Sequence, residues 1–347
     1  MLPDLPDPPL RLKFDRDALK ANWQALDRLS GKARAGAAVK ADAYGIGARR
    51  AVPALHEAGC CDFFVAHWSE AAELLDLVPT SSIAVLHGLQ SEADAAYAIA
   101  TDVRPVINSA AQARRWLAAG GGPCDLMVDT GMNRLGVPMS QVGDEIFAQL
   151  DIDVLHSHLA SAEEETPLNA RQCGRWREAI AAIAHKRRSL ANSAGIALGS
   201  DYHGDLTRPG ISLYGGVPRA DMAHIIRQVA SPETMIMQVR HVGPGETVGY
   251  NATFTATGPM RVGTISLGYA DGYLRCWSGK GVFRAAGHEL PVLGRVSMDM
   301  AVVDLSNAPD LGEGDWITAD YALAEASAAS GLSQYELLTV LGRRFRR

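Results

Sequence analysis

The chain has 347 residues, 47% of them hydrophobic and 21% charged, with a formal net charge of -6. It is long enough to bury a large core and to divide into two domains. The acidic balance excludes a broad nucleic-acid footprint, which needs a basic face to neutralise phosphates, and no apolar run is long enough to span a bilayer.

From about residue 10 to about 225, short apolar runs alternate with alanine-rich segments of helical period. Strands are predicted at 11–14, 35–40, 63–66, 83–86, 103–107, 126–129 and 154–157, with a last one before Tyr214. Helices are predicted at 18–29, 70–77, 110–118 and 172–184, where apolar positions recur at three and four. Such alternation implies a parallel sheet; about eight repeats favour a closed barrel, with an open doubly wound sheet as the alternative. After about residue 228 the texture changes to short strand-like runs at 235–242, 260–266, 281–285, 290–293, 300–305 and 316–318, separated by Gly, Pro, Asn and Asp. A helix at 333–341 closes the chain. The expected division is an α/β domain over 1–228 and a β domain over 229–347.

The first six residues carry no basic stretch followed by an apolar core, so no secretory signal is expected. The basic end, Arg343-Arg344-Phe345-Arg346-Arg347, reads as a solvated terminus. Five cysteines, at 60, 61, 124, 173 and 276, show no zinc spacing. They indicate a reducing cytoplasm and no metal.

In a parallel barrel, functional groups gather where strands end. Lys40 ends an apolar strand and passes into a loop marked by Gly45 and Gly47. A lysine so placed is partly desolvated, which favours the neutral, nucleophilic amine used in Schiff-base chemistry. Tyr44 and the glycines beside it could hold a phosphate. Asp129 to Gly136, containing Arg134, follows another strand; His156-Ser157-His158 follows a third; Asn192-Ser193 and Arg208-Pro209-Gly210-Ile211 complete the set. Singly, Arg134 reads as a surface ion pair, His158 as a packed histidine, Asn192-Ser193 as a cap, and Gly210-Ile211 as a helix start whose N–H groups could also cradle a phosphate. Their recurrence at strand ends is what points to a site. In the second domain, Tyr269 in Gly268-Tyr269-Ala270-Asp271-Gly272-Tyr273 is either an aromatic anchor in a turn or a phenol used as an acid/base.

Together with Gly294 to Met300, these segments stand in the order found in the alanine racemase family, which the chain resembles over nearly its whole length. The resemblance implies an eight-stranded (β/α)8 TIM-like barrel, a β-rich carboxyl-terminal domain, pyridoxal 5'-phosphate as cofactor, and a homodimer whose active site is shared between subunits. It implies that Lys40 holds the cofactor as an internal aldimine and acts as one base, with Tyr269 of the partner subunit as the other. Arg208 would face the pyridine nitrogen and His158 would orient Arg208. Tyr44, Ser193, Gly210 and Ile211 would grip the phosphate; Arg134 and the backbone at Met298 would hold the cofactor hydroxyl or substrate carboxylate; Asp299 would sit at the entry. Two departures stand out: Met127 replaces a lysine that many relatives carry, and the tail lacks a tyrosine many use near the phosphate. The implied function is interconversion of L- and D-alanine, supplying a peptidoglycan precursor. Alternatives are a racemase of broader or polar specificity, a decarboxylase of the same architecture, which Arg208 disfavours, and a non-catalytic protein that binds the cofactor.

Overall fold

The computed structural model describes residue 3, residues 6–342, and residues 344 and 345. Of the basic end, Arg343, Arg346 and Arg347 lie outside the described residues, as does most of the segment read for a signal. The chain forms two compact units, Arg16–Arg227 and a second that joins Met1–Asp15 to Gln228–Arg347. The division differs from the sequence boundary at its start. Strand β1 (Leu10–Phe14) pairs antiparallel with β12 (Ala230–Val242) of the second unit. Its reason is visible in its pattern: Leu10 and Leu12 are buried while Arg11 and Lys13 are exposed, the alternation of a sheet with one wet face.

The first unit is a parallel barrel. Strands β2 (Arg34–Ala35) and β3 (Ala37–Ala38) flank Gly36; then come β4 (Phe63–Val65), β5 (Ile83–Val85), β6 (Arg104–Ile107), β7 (Pro123–Asp129), a short β8 (Val137–Pro138) beside β7, β9 (Asp151–His156), β10 (Arg187–Ser189) and β11 (Leu206–Thr207). The order runs β3-β4-β5-β6-β7-β9-β10. Closure follows from Arg208 N–H donating to Ala191 O and Gly36 N–H donating to Thr207 O, at 2.8 and 2.9 Å. Phe64, Ala84, Val106, Met127, Val154 and Leu206, each from a different barrel strand, pack as one buried cluster inside. Met127 is therefore part of the apolar filling, where a charged side chain would need a partner.

Strand β10 was missed from sequence. Arg187-Arg188-Ser189 contains no apolar residue, and it is a strand because Arg187 is held by the carboxylates of buried Asp62 and partly buried Asp153 rather than by packing. Eight strands were expected and eight close the barrel, but β10 takes the place given to β1.

In the second unit, β12 pairs with β15 (Met260–Ile265), which continues through β18 (Ala301–Asp304), β17 (His288–Leu293) and β16 (Val282–Ala285) to β19 (Trp316–Ala319); β19 returns to β12. The antiparallel sheet thus closes on itself. A small hairpin, β13 (Thr247–Val248) with β14 (Phe254–Thr255), stands apart, and two helices, Leu323–Ser330 and Gln334–Thr339, end the chain.

Candidate active site

Lys40 opens a turn, Lys40–Tyr44, in which Ala41, Asp42, Ala43 and Tyr44 all have φ between 53° and 55°. Left-handed backbone costs a non-glycine residue roughly 1 kcal/mol, so four in a row must be over-determined by their surroundings. They are. One oxygen of the Glu70 carboxylate accepts from Ala41 N–H and the other from Ala66 N–H, both at 2.7 Å. Asp42 Oδ1 accepts from Ala48 N–H at 2.6 Å, and Gly45 N–H donates to Ala41 O at 2.8 Å. The Lys40 amine is held below its ordinary pKa, first by burial, then by Arg134 and Arg208, with Glu70 opposing. A larger share of neutral amine follows.

At the far end of the turn, the Tyr44 ring stacks on Tyr214, centroids 5.0 Å apart, and the Tyr214 hydroxyl donates to Ala38 O at 2.9 Å. Burial pushes the Tyr44 phenol up to about 12, so it stays protonated. A Cβ at Gly210 would lie 2.3 Å from the Tyr44 hydroxyl, so the close approach requires glycine. Ser193 Oγ accepts from Gly210 N–H at 2.9 Å and Ser212 N–H at 3.3 Å, which leaves its own proton to donate. Ser212 Oγ is buried with no hydrogen-bond partner among the described residues, and Ile211 is buried beside it. Hydroxyls of Tyr44, Ser193 and Ser212 around a chain bend at Gly210 fit the oxygens of a phosphate; an orphan buried hydroxyl is otherwise unfavourable.

Arg208 is buried, and burial draws its guanidinium down to about 10, with Asp125 opposing. It donates to Ser189 Oγ and to Ser157 O, the latter at 2.6 Å, and its Nη1 lies 3.2 Å from His156 Nδ1. The histidine that orients Arg208 is thus His156. His158, to which that role was carried over, makes no side-chain hydrogen bond to Arg208 among the described residues. Residues two apart on a strand share a face, so Val154 and His156 both point inward on β9, and His158 lies past its end. Burial and the charges of Arg208, Arg134 and Lys40 pull the His158 ring down to about 3, which keeps it neutral. Arg134 is exposed and has no ion-pair partner among the described residues; its loop is set by Asp129 Oδ1, which accepts from Gly131 and Met132 N–H at 2.8 and 2.9 Å.

In the second unit, Tyr269 lies on a single turn, Tyr269–Asp271. Its N–H donates to Ser297 O and that of Ala270 to Met298 O, both at 3.0 Å. A Cβ on Gly268 would come within 2.3 Å of Met298 O. The buried Asp271 carboxylate accepts from Gly268 N–H at 2.9 Å. Arg344 lies 2.8 Å from both Asp271 and Asp299, and the Arg275 guanidinium sits 5.1 Å from the Tyr269 ring centre. Met298 is 53% exposed.

The barrel therefore brings Lys40, Tyr44, His158, Ser193, Arg208, Gly210 and Ile211 together, with Arg134 at the rim; Tyr269, Met298 and Asp299 belong to the other unit. Sequence reasoning gave no individual role in the site to His156, Asp125, Ser189, Glu70, Ser212 or Arg344. His156 alone had a signal, the inward alternation of its strand.

Comparison with known proteins agrees over the whole length. Residues 14–218 match the alanine racemase N-terminal domain family and residues 229–347 the alanine racemase C-terminal domain family. A biosynthetic alanine racemase of Agrobacterium fabrum is 40% identical over 98% of this chain and 93% of its own, and one from Rhizobium meliloti is 41% identical over 97% and 96%. The crystal structure of alanine racemase from Bartonella henselae with covalently bound pyridoxal phosphate superposes with a TM-score of 0.90 at 34% identity, covering 99% of both chains. The biosynthetic enzyme of Pseudomonas aeruginosa gives 0.87 at 35% identity, again over 99% of both. On domain order, coverage and fold alike, this chain belongs to the alanine racemase family.

Proposed function

We propose that the chain is a pyridoxal 5'-phosphate-dependent alanine racemase that moves the α-proton between Lys40 and Tyr269 of a second copy. The observation that carries this reading is the convergence of a desolvated lysine, a buried arginine and a hydroxyl-lined bend around Gly210 at one end of the barrel. Lys40 would hold the cofactor covalently; Tyr44, Ser193, Gly210 and Ile211 would hold its phosphate. When bound, the cofactor supplies an electron sink that acidifies the substrate α-carbon.

The remaining work falls to side chains. Racemisation removes a proton from one face of the α-carbon and returns it to the other, so two groups on opposed faces suffice. The lowered basicity of Lys40 raises the share of neutral amine that can take up that proton and makes its return easier. Tyr269 serves the opposite face. Arg208, a buried cation, would face the pyridine nitrogen of the bound cofactor, where its charge would keep that nitrogen unprotonated and limit side reactions. Arg134 and the Met298 backbone would hold the cofactor hydroxyl or the substrate carboxylate, and Asp299 would sit at the entry. Exposed Met237, Tyr250, Met298 and Met300 on the β unit suit burial against a second copy in a homodimer. The free cysteines fit a reducing cytoplasm, and among the described residues no helix is long and apolar enough to cross a membrane.

Borohydride reduction followed by peptide mapping tests the cofactor role: label on Lys40 is expected, and its absence would sink the reading. A chiral assay over a panel of amino acids tests the substrate. Arg134, exposed and without an ion pair among the described residues, favours one second reading, a racemase of broader specificity, which turnover of larger or polar amino acids at rates near that of alanine would establish.

A further inference from the structure

Beneath the site lies a group of buried or largely buried charges that the reaction above does not use. Asp62 just precedes β4, Arg104 starts β6, Arg187 starts β10, and Asp125 and Asp153 lie within β7 and β9. Burying so many charges is expensive, and a stable core does not require it. Their contacts lead one way. Arg187 binds Asp62 at 2.9 and 3.0 Å and Asp153 at 2.7 Å; Arg104 binds the same two carboxylates. Arg104 Nε lies 3.6 Å from Asp125 Oδ1, Asp125 Oδ2 lies 3.0 Å from His156 Nε2, and His156 Nδ1 faces Arg208. With Arg208 included, three carboxylates meet three guanidinium groups. The set is neutral only when the site arginine is counted in it.

We propose that Asp125 and His156 are positioning residues, which fix the direction and the exposed charge of Arg208 by locking one tautomer of the imidazole between them. The inference rests on the reading that Arg208 faces the cofactor's ring nitrogen. A guanidinium only donates hydrogen bonds and an ionised carboxylate only accepts them. An imidazole between the two must carry its hydrogen on Nε2, toward Asp125, and offer bare Nδ1 to Arg208. Complete burial keeps the ring neutral, and Arg104 helps keep Asp125 ionised. Among the described residues, every direct partner of Arg208, namely His156 Nδ1, Ser189 Oγ, Ser157 O and Leu190 O, is then neutral, and its counter-charge sits one imidazole away. The cation is held rigidly without being cancelled. The polar strand β10 serves the same end: Arg187 and Ser189, two apart on one face, bind the charge cluster and Arg208 respectively.

The test uses the full chain with cofactor, labelled with 15N-histidine, and reads the His156 tautomer by 15N–1H correlation. The His156 signal is identified by its loss in His156→Gln. The expected result is the Nε2–H tautomer, unchanged from about pH 6 to about pH 9. Asp125→Asn should lose that single tautomer and lower kcat by roughly 10- to 100-fold with little change in KM, as loss of an outer partner does elsewhere. His156→Gln, whose carbonyl accepts from Arg208 and whose amide donates to Asp125, should keep most of the rate; His156→Leu should lose it. An Nδ1–H tautomer, a ring that titrates in that range, or equal rates for the Gln and Leu variants would overturn the proposal. Should Asp125→Asn fail to fold, the Gln and Leu pair decides. The tautomer also reads out whether or not Lys40 takes the pyridoxyl label, so failure of the cofactor reading and failure of the relay are told apart.

Discussion

Lys40 and Tyr269 are proposed for the same proton, yet their turns are built on opposite principles. Lys40 stands on strained left-handed backbone, its amine buried and surrounded by Arg134 and Arg208, the strain fixed by Glu70 and Asp42. Tyr269 stands on an unstrained turn stapled by backbone bonds to residues 297 and 298, its ring only half-buried with Arg275 across its face. In the barrel, surroundings tune the group; in the β unit, the backbone places it. Damage to the first should therefore touch cofactor retention and chemistry together, and damage to the second should touch one direction of proton transfer.

The largest effect is expected from Lys40→Ala. It should abolish pyridoxyl labelling and reduce racemisation by at least roughly 10²–10⁴-fold, since both the attachment and a base are lost. Tyr269→Phe removes only a hydroxyl and keeps the ring under Arg275. Exchange of the α-proton, followed by deuterium uptake, should fall by roughly 10²–10⁴-fold for one enantiomer and far less for the other. Equal losses for both enantiomers would end the two-base account.

Smaller effects sharpen the contrast within the barrel. Gly210→Ala puts a methyl group 2.3 Å from the Tyr44 hydroxyl, so the ring must shift off Tyr214 or the bend must open. Cofactor affinity, read by dialysis against decreasing pyridoxal phosphate, should weaken by at least about tenfold, the equivalent of 1.4 kcal/mol. Wild-type affinity would show that this bend does not hold the phosphate. Glu70→Gln keeps the shape but has one accepting oxygen, so it loses either the N–H of Ala41 or those of Ala66 and His67, and should cost about 2 kcal/mol in a denaturant melt. An unchanged midpoint would mean the left-handed turn holds itself.

Much of this was legible in the sequence where apolar burial decides structure. Ile83–Val85 reads as a strand because it is branched and apolar, and the helix Ala110–Ala118 reads as one from apolar positions recurring at three and four, its start capped by Ser109, which accepts from Gln112 N–H at 3.2 Å. Legibility failed where polar groups decide. Arg187-Arg188-Ser189 looks nothing like a barrel strand until Asp62 and Asp153 are brought to it from distant positions. The left-handed turn after Lys40 has no glycine where φ turns positive, so nothing local announces it. Of the site, the rule that chemistry gathers at strand ends found Lys40, Arg208, Ser193 and the Gly210 bend. The resemblance gave His158 as the partner of Arg208, whereas His156 stands there, because the choice between the two depends on which way β9 faces.

The smallest effect is expected in the β unit, from Arg344→Ala. Arg344 is half exposed, so its own ion pairs are screened, but one of its partners, Asp271, is buried and braces the Tyr269 turn through Gly268 N–H. Burial already raises the Asp271 carboxyl above its ordinary value of 3.8, and Arg344 works against that rise. Without Arg344 the rise should grow. A carboxyl whose folded pKa is raised binds its proton more readily folded than unfolded, so its ionisation destabilises the fold as pH climbs through the folded value. The penalty is complete above that value and vanishes below 3.8. The variant should therefore melt lower than the parent by roughly 1–3 °C near neutral pH, as a loss of about 1 kcal/mol gives, and the gap should close on acidification. Scanning calorimetry at a neutral and an acid pH measures both; a gap that widens toward acid would mean Arg344 acts through Asp299 or the surface rather than by neutralising Asp271.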